Sequence, residues 1–225
     1  MSDVDGGNVV LLSKDIANSG RSDWSPDGSK VAFDSVAQTP SSMYVVDIGE
    51  RVPRKLVTDI EDIKYPSWSH DGKWIYFTSG EAQGHKLHRV LAGGGHAEEL
   101  PSETLALSAV ESSDGNYVYF SSRELNLQVK KFALNDGKRE IEKEDIPRIA
   151  HFSVWRITPG GIYFVPREPS RSMRFFDFGS RQVREVFTSE KDFESGLSVS
   201  PDGRYLLYTQ VDNQNADIMV TDRYR

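Results

Sequence analysis

Five times in 225 residues the chain repeats a short turn motif followed by an apolar triplet, and that recurrence constrains the fold more than any compositional property. The turns are Trp24-Ser25-Pro26-Asp27-Gly28, Trp68-Ser69-His70-Asp71-Gly72, Glu111-Ser112-Ser113-Asp114-Gly115, Ile157-Thr158-Pro159-Gly160-Gly161 and Val199-Ser200-Pro201-Asp202-Gly203. Their last glycines are spaced by 44, 43, 46 and 42 residues. The triplets that follow are Val31-Ala32-Phe33, Ile75-Tyr76-Phe77, Val118-Tyr119-Phe120, Ile162-Tyr163-Phe164 and Leu206-Leu207-Tyr208.

Each unit reads as four short strands. An inner strand ends at the Asp-Gly, whose preference for positive φ predicts a two-residue hairpin turn. The triplet is the second strand. Third strands are expected at 43–46, 87–90, 128–132, 174–176 and 218–220, and fourth strands end near Leu56, Leu100, Ile141 and Val186. His85 and His88 fall on one such strand, three residues apart and hence on opposite faces. Strands apolar on both sides need cover on both sides. A two-layer sandwich covers one face of each sheet, whereas radial stacking of small sheets covers both.

The fifth unit lacks a fourth strand, and Gly6 to Leu12 ahead of the first motif supplies one. Residues Asn8 to Ser13 are therefore expected to pair antiparallel with Asp217 to Asp222, closing a ring and removing an exposed sheet edge. The predicted fold is an all-β, five-bladed β-propeller with four antiparallel strands per blade. It is a single domain over 1–225, with blades at about 16–59, 60–103, 104–145, 146–190 and 191–225 plus 7–15. Trp24, Trp68, Phe33, Phe77, Phe120 and Phe164 recur in register and read as core between blades.

The Trp-Ser-Pro-Asp-Gly turn, two residues and then apolar-x-aromatic, resembles the repeat of the TolB-type propeller family, a relative of the WD repeat. The third unit departs from it with Glu111-Ser112-Ser113, and the fourth with Pro159-Gly160-Gly161 and a shortened hairpin. The resemblance covers essentially the whole chain. It implies a non-catalytic scaffold or sensory domain that binds protein partners in the periplasm or another extracytoplasmic compartment.

Chemistry is sparse. The net charge of −7, from 34 acidic and 27 basic side chains, argues against a nucleic-acid backbone as partner, since that needs clustered Lys and Arg. Without cysteine there is no disulfide, thiol nucleophile or thiolate metal site. No run reaches the roughly 18 apolar residues of a membrane helix, so no membrane insertion is expected. No phosphate loop or Gly-x-Ser-x-Gly elbow occurs. No metal and no cofactor are expected, and the chain reads as a monomer and not an enzyme.

The loops joining fourth to first strands are rich in acids, while Arg21, Arg123, Arg148 and Arg167 fall near the same end, closer to the axis. These four arginines, with Tyr65 and His151 as aromatic walls at inner-strand entrances, form the expected mouth for a protein or peptide bearing an acidic group. One rival reading is a channel-site hydrolase or lyase acting on carbohydrate through Glu111, Asp23 and His151, with Glu111 standing where other units place an aromatic. Another is a truncated or engineered propeller with no native activity.

Overall fold

The computed structural model describes residues 9–12, 16–37, 39–56, 58–80, 85–101, 106–122, 127–135, 140–143, 146, 148–200, 203–212 and 215–221. The chain divides into two compact units, Met1–Ala109 and Val110–Arg225. In the first, β1 (Ser19–Trp24), β2 (Lys30–Ser35), β3 (Ser42–Asp47) and β4 (Pro53–Lys55) form one sheet in chain order. A second sheet follows with β5 (Ile63–Trp68), β6 (Trp74–Ser79), β7 (Lys86–Leu91) and β8 (Glu98–Glu99). The boundary between the units falls within β9 (Ala106–Glu111), which pairs with β10 (Tyr117–Ser122), followed by β11 (Gln128–Ala133) and β12 (Glu142–Lys143).

The second unit continues with β13 (Trp155–Thr158), β14 (Gly161–Phe164), β15 (Ser172–Asp177) and β16 (Val183–Thr188). Its last sheet holds β17 (Phe193–Val199), β18 (Leu206–Asp212) and β19 (Asn215–Thr221). The protein is thus all-β, one antiparallel sheet per repeat, with every expected third strand in place.

Alternation along the triplets explains why the sheets stack. In β14, Ile162 and Phe164 point into a cluster shared with Tyr119 and Val129 of the preceding sheet. Their neighbours Tyr163 and Val165 point the other way, into a cluster with Leu197, Leu206 and Tyr208 of the following sheet. One sheet therefore buries both faces, as the period of two requires. In the first unit Ala32, Met43 and Val45 meet Ile63, Trp68, Ile75 and Phe77 in the same way. Each fully buried aromatic in these seams contributes on the order of 1.5–3 kcal/mol.

Three expectations need correction. The Asp-Gly turns are not two-residue hairpins: Ser25 N–H donates to the Lys30 carbonyl at 2.9 Å, so four residues lie between. The cause is the serine. Its hydroxyl donates to Asp27 Oδ1 at 2.7 Å and accepts the Lys30 N–H at 2.9 Å, while Asp27 also accepts the Ser29 N–H at 3.0 Å. Only Gly28, at φ 70°, needs the left-handed region. The same Ser-x-Asp staple recurs at Ser69–Asp71 and Ser112–Asp114. A two-residue turn occurs in the fourth repeat, where Thr158 pairs with Gly161. A Cβ on Gly161 would run into the Phe176 carbonyl of β15.

Trp24 is 47% exposed, whereas Trp68 is 6% exposed. Trp68 docks on β1, donating Nε1–H to the Asp23 carbonyl at 3.2 Å. Third, His85 precedes β7 and does not share that strand with His88.

At the amino terminus, described residues Val9 to Leu12 are not in a strand, and the sheet of β17 to β19 has three described strands. The remaining residues assigned to the closing pair, Asn8, Ser13 and Asp222, lie outside the described ones. Leu12 packs against the cluster of Val31, Phe33 and Val46. No helix among the described residues is long and apolar enough to cross a membrane.

Candidate functional site

Two inner strands of the first unit bend before they reach their turns. β1 shifts register between Ser19 and Ser22, and β5 between Lys64 and Ser67, where Tyr65 takes φ 59°. Such bulges remove backbone groups from the ladder and re-aim side chains. Here the N–H groups of Arg21 and Tyr65 both turn to one carboxylate: Arg21 donates to Asp34 Oδ1 at 2.6 Å and Tyr65 to Oδ2 at 2.9 Å. Asp34 follows the second-strand triplet of the first repeat and is only 2% exposed. Gly20 makes the approach possible, because a Cβ there would collide with Asp34 Oδ1.

Burial raises the Asp34 carboxyl above its ordinary value, opposed by the Tyr65 and Arg21 amides and by the Arg21 charge. Outward from it lie three half-buried side chains. The Arg21 guanidinium carbon sits 5.3 Å from the centre of the Tyr65 ring, and that ring lies 6.3 Å from the His85 imidazole. Arg21 and Tyr65, assigned to a binding mouth from sequence, are therefore neighbours. Asp34 and His85 were missed there. The signal for Asp34 was a lone carboxylate at the end of an apolar strand, where other repeats carry Thr78, Ser121, Val165 and Thr209.

In the second unit Arg148 and Arg167 are exposed and adjacent, with Arg167 N–H donating to the Arg148 carbonyl at 2.6 Å. His151 is half-buried, its Nδ1 2.7 Å from Ser153 Oγ and its ring 4.2 Å from that of Phe152. Arg123 lies outside the described residues. Of the residues in the hydrolytic rival, Asp23 holds the backbone N–H of Trp68 at 2.8 Å through Oδ2. Glu111 leans over its own turn, with Oε1 3.6 Å from where a Gly115 Cβ would stand.

His88 is buried, its ring 5.3 Å from Phe77 and its Nε2 2.9 Å from Ser79 Oγ. Desolvation pushes its pKa down, which favours the neutral imidazole. It borders a cleft of about 570 Å³ beside Trp74 and the His96–Asp59 pair. Among the described residues no group of three or more His, Asp or Glu is arranged to hold a metal ion.

The sequence model of the TolB beta propeller domain matches residues 1–145. The uncharacterized protein Atu1656 of Agrobacterium fabrum is 26% identical over 145 residues, which cover 60% of this chain and 49% of that protein. Among solved structures, TolB from Acinetobacter baumannii superposes with a TM-score of 0.78 at 16% identity, covering 98% of this chain and 56% of its own. A putative TolB from Agrobacterium tumefaciens gives 0.72 at 16% identity, covering 91% and 76%. A gluconolactonase from Xanthomonas campestris gives 0.67 at 13% identity, covering 85% and 69%. The chain thus spans about half the length of the curated relative and of the Acinetobacter protein.

Proposed function

The chain belongs to the TolB β-propeller domain family, and from that membership we propose that it is a non-catalytic scaffold binding a protein or peptide through an anionic group. In this reading the two units form one five-bladed ring, closed by the amino-terminal segment beside β19. Its mouth carries Arg21, Tyr65, Arg123, Arg148, His151 and Arg167. The protein is a monomer of the periplasm or another extracytoplasmic compartment.

The observation that carries the reading is the pair formed by Arg21 and Tyr65, set by buried hydrogen bonds and presented at half-exposed positions. Arginine offers a planar fork of donors matched to a carboxylate, and an aromatic face beside it holds the fork in place. The exposed Arg148 and Arg167, side by side at the corresponding end of the fourth repeat, support it further.

Isothermal titration with deca-glutamate and deca-lysine tests it. Deca-glutamate should bind and deca-lysine should not. Arg123→Ala with Arg167→Ala should weaken binding about tenfold while the circular dichroism spectrum stays unchanged, the loss expected for a charge-assisted hydrogen bond. Equal binding of both polymers, or of wild type and variant, overturns the reading.

The likeness to a gluconolactonase favours a second reading, a lactone hydrolase. Hydrolysis of glucono-lactone above the buffer rate, lost in Glu111→Gln, would establish it. Asp23 weighs against a carboxylate pair, because its Oδ2 is already engaged by the Trp68 amide.

A further inference from the structure

We propose that Asp34 is a positioning residue which seats Arg21 and Tyr65 side by side, so that the first unit alone carries a carboxylate-binding strip made of Arg21, Tyr65 and His85. The inference rests on the proposed anion-binding function and deepens it by naming the subsite and the group that builds it.

The argument starts with the bulges. An inner-strand residue freed from its ladder has no fixed direction of its own. Asp34 fixes two of them with one side chain, one oxygen for each repeat. The corresponding residue of the second repeat, Thr78, reaches only its own inner strand, with Oγ1 3.4 Å from the Lys64 carbonyl. Thr209 likewise bonds the Ser195 carbonyl at 2.9 Å. These two threonines tie a repeat to itself; the carboxylate ties the first repeat to the second.

Geometry also selects the ligand. Asp34 is buried, so its negative charge is turned inward, onto two amides and towards Arg21. Beside it, at half-buried positions, stand a guanidinium, a phenol hydroxyl and an imidazole, all able to donate. A carboxylate would meet donors spread along the row of Arg21, Tyr65 and His85, whose neighbouring groups lie 5.3 Å and 6.3 Å apart. The groups around Asp34 are Arg21 from β1 and Tyr65 from β5; Met43, its partner on β3, brings no charge.

Amide nuclear magnetic resonance during a titration from pH 7 to pH 3.5 tests the role without a ligand. The Arg21 and Tyr65 N–H signals should move together with one inflection, and that shared inflection should vanish in Asp34→Asn. Separate inflections, or none that depends on Asp34, overturn the proposal. In parallel, Asp34→Asn should weaken deca-glutamate binding about tenfold, the scale of losing one charge-assisted contact. Arg21→Ala should weaken binding equally yet leave the Tyr65 amide titration in place. Should wild-type protein fail to bind deca-glutamate, the anion-binding function falls, and the shared inflection still decides whether Asp34 positions the pair.

Discussion

Trp68 donates twice to Asp23: its backbone N–H goes to the Asp23 carboxylate at 2.8 Å, and its indole N–H to the Asp23 carbonyl at 3.2 Å. This two-point grip joins the inner strands of the first two repeats where the indole becomes buried. Asp23→Ala removes the side-chain half and leaves a backbone donor without its acceptor. The expected cost is about 1–3 kcal/mol, read from urea denaturation midpoints. An unchanged midpoint would show that the carboxylate contributes nothing to the seam.

Repeat-equivalent aromatics should differ sharply in weight. Phe77, which is 0% exposed, should cost about 3–5 kcal/mol on truncation to Ala. Trp24→Ala should stay within about 1 kcal/mol, because 47% of that residue is already in solvent. Equal losses at the two positions would contradict the seam geometry.

The stapled turns predict how the protein responds to acid. Asp27 and Asp71 are held down at about 2 from the ordinary 3.8, chiefly by the Ser25 hydroxyl in one turn and by Lys73 in the other. A folded-state value below the unfolded one means the stabilisation is complete above about pH 4 and lost as pH falls through about 2. Asp34 acts in the opposite sense: its raised value makes the ionised form the less favoured one, so its term falls as pH rises past 3.8. Melting temperatures at pH 4.5 and pH 2.5 should therefore differ more in wild type than in Asp71→Asn. The same difference in both would remove the staple from the account.

Closure of the proposed ring can be tested by deleting residues 1–11. Val9 and Leu11 are 77% and 69% exposed where they stand. If they belong against β19, their removal should expose a sheet edge and promote association, visible by sedimentation velocity. A variant that remains monomeric with unchanged melting would show that this segment closes nothing.

Much of the fold was legible because the pattern is local and repeated. Every triplet lies in a second strand, and Phe77, Phe120 and Phe164 are fully buried as their spacing requires. The turn type was misread because Asp-Gly suggests a tight hairpin, and the serine two positions earlier decides the loop instead. Trp24 was misread because recurrence in register does not fix burial: Trp24 and Trp68 hold the same place in their repeats and are 47% and 6% exposed. At the site, Arg21 and Tyr65 were visible as a cation and an aromatic at strand entrances. Asp34 was not, since its role depends on bulges that only three-dimensional register reveals.

All the atoms of a Ser-x-Asp staple lie within six consecutive residues, whereas Asp23 and Asp34 grip residues 45 and 31 positions away. Gene duplication copies the first kind of contact intact, ready to fold in each new copy. Contacts of the second kind belong to one junction and must arise separately at every join. The Ser-x-Asp-Gly sequence accordingly stands in four of the five repeats, while an Asp follows the triplet in the first repeat alone. A staple travels with its own sequence; the Asp34 clamp needs two particular repeats in place.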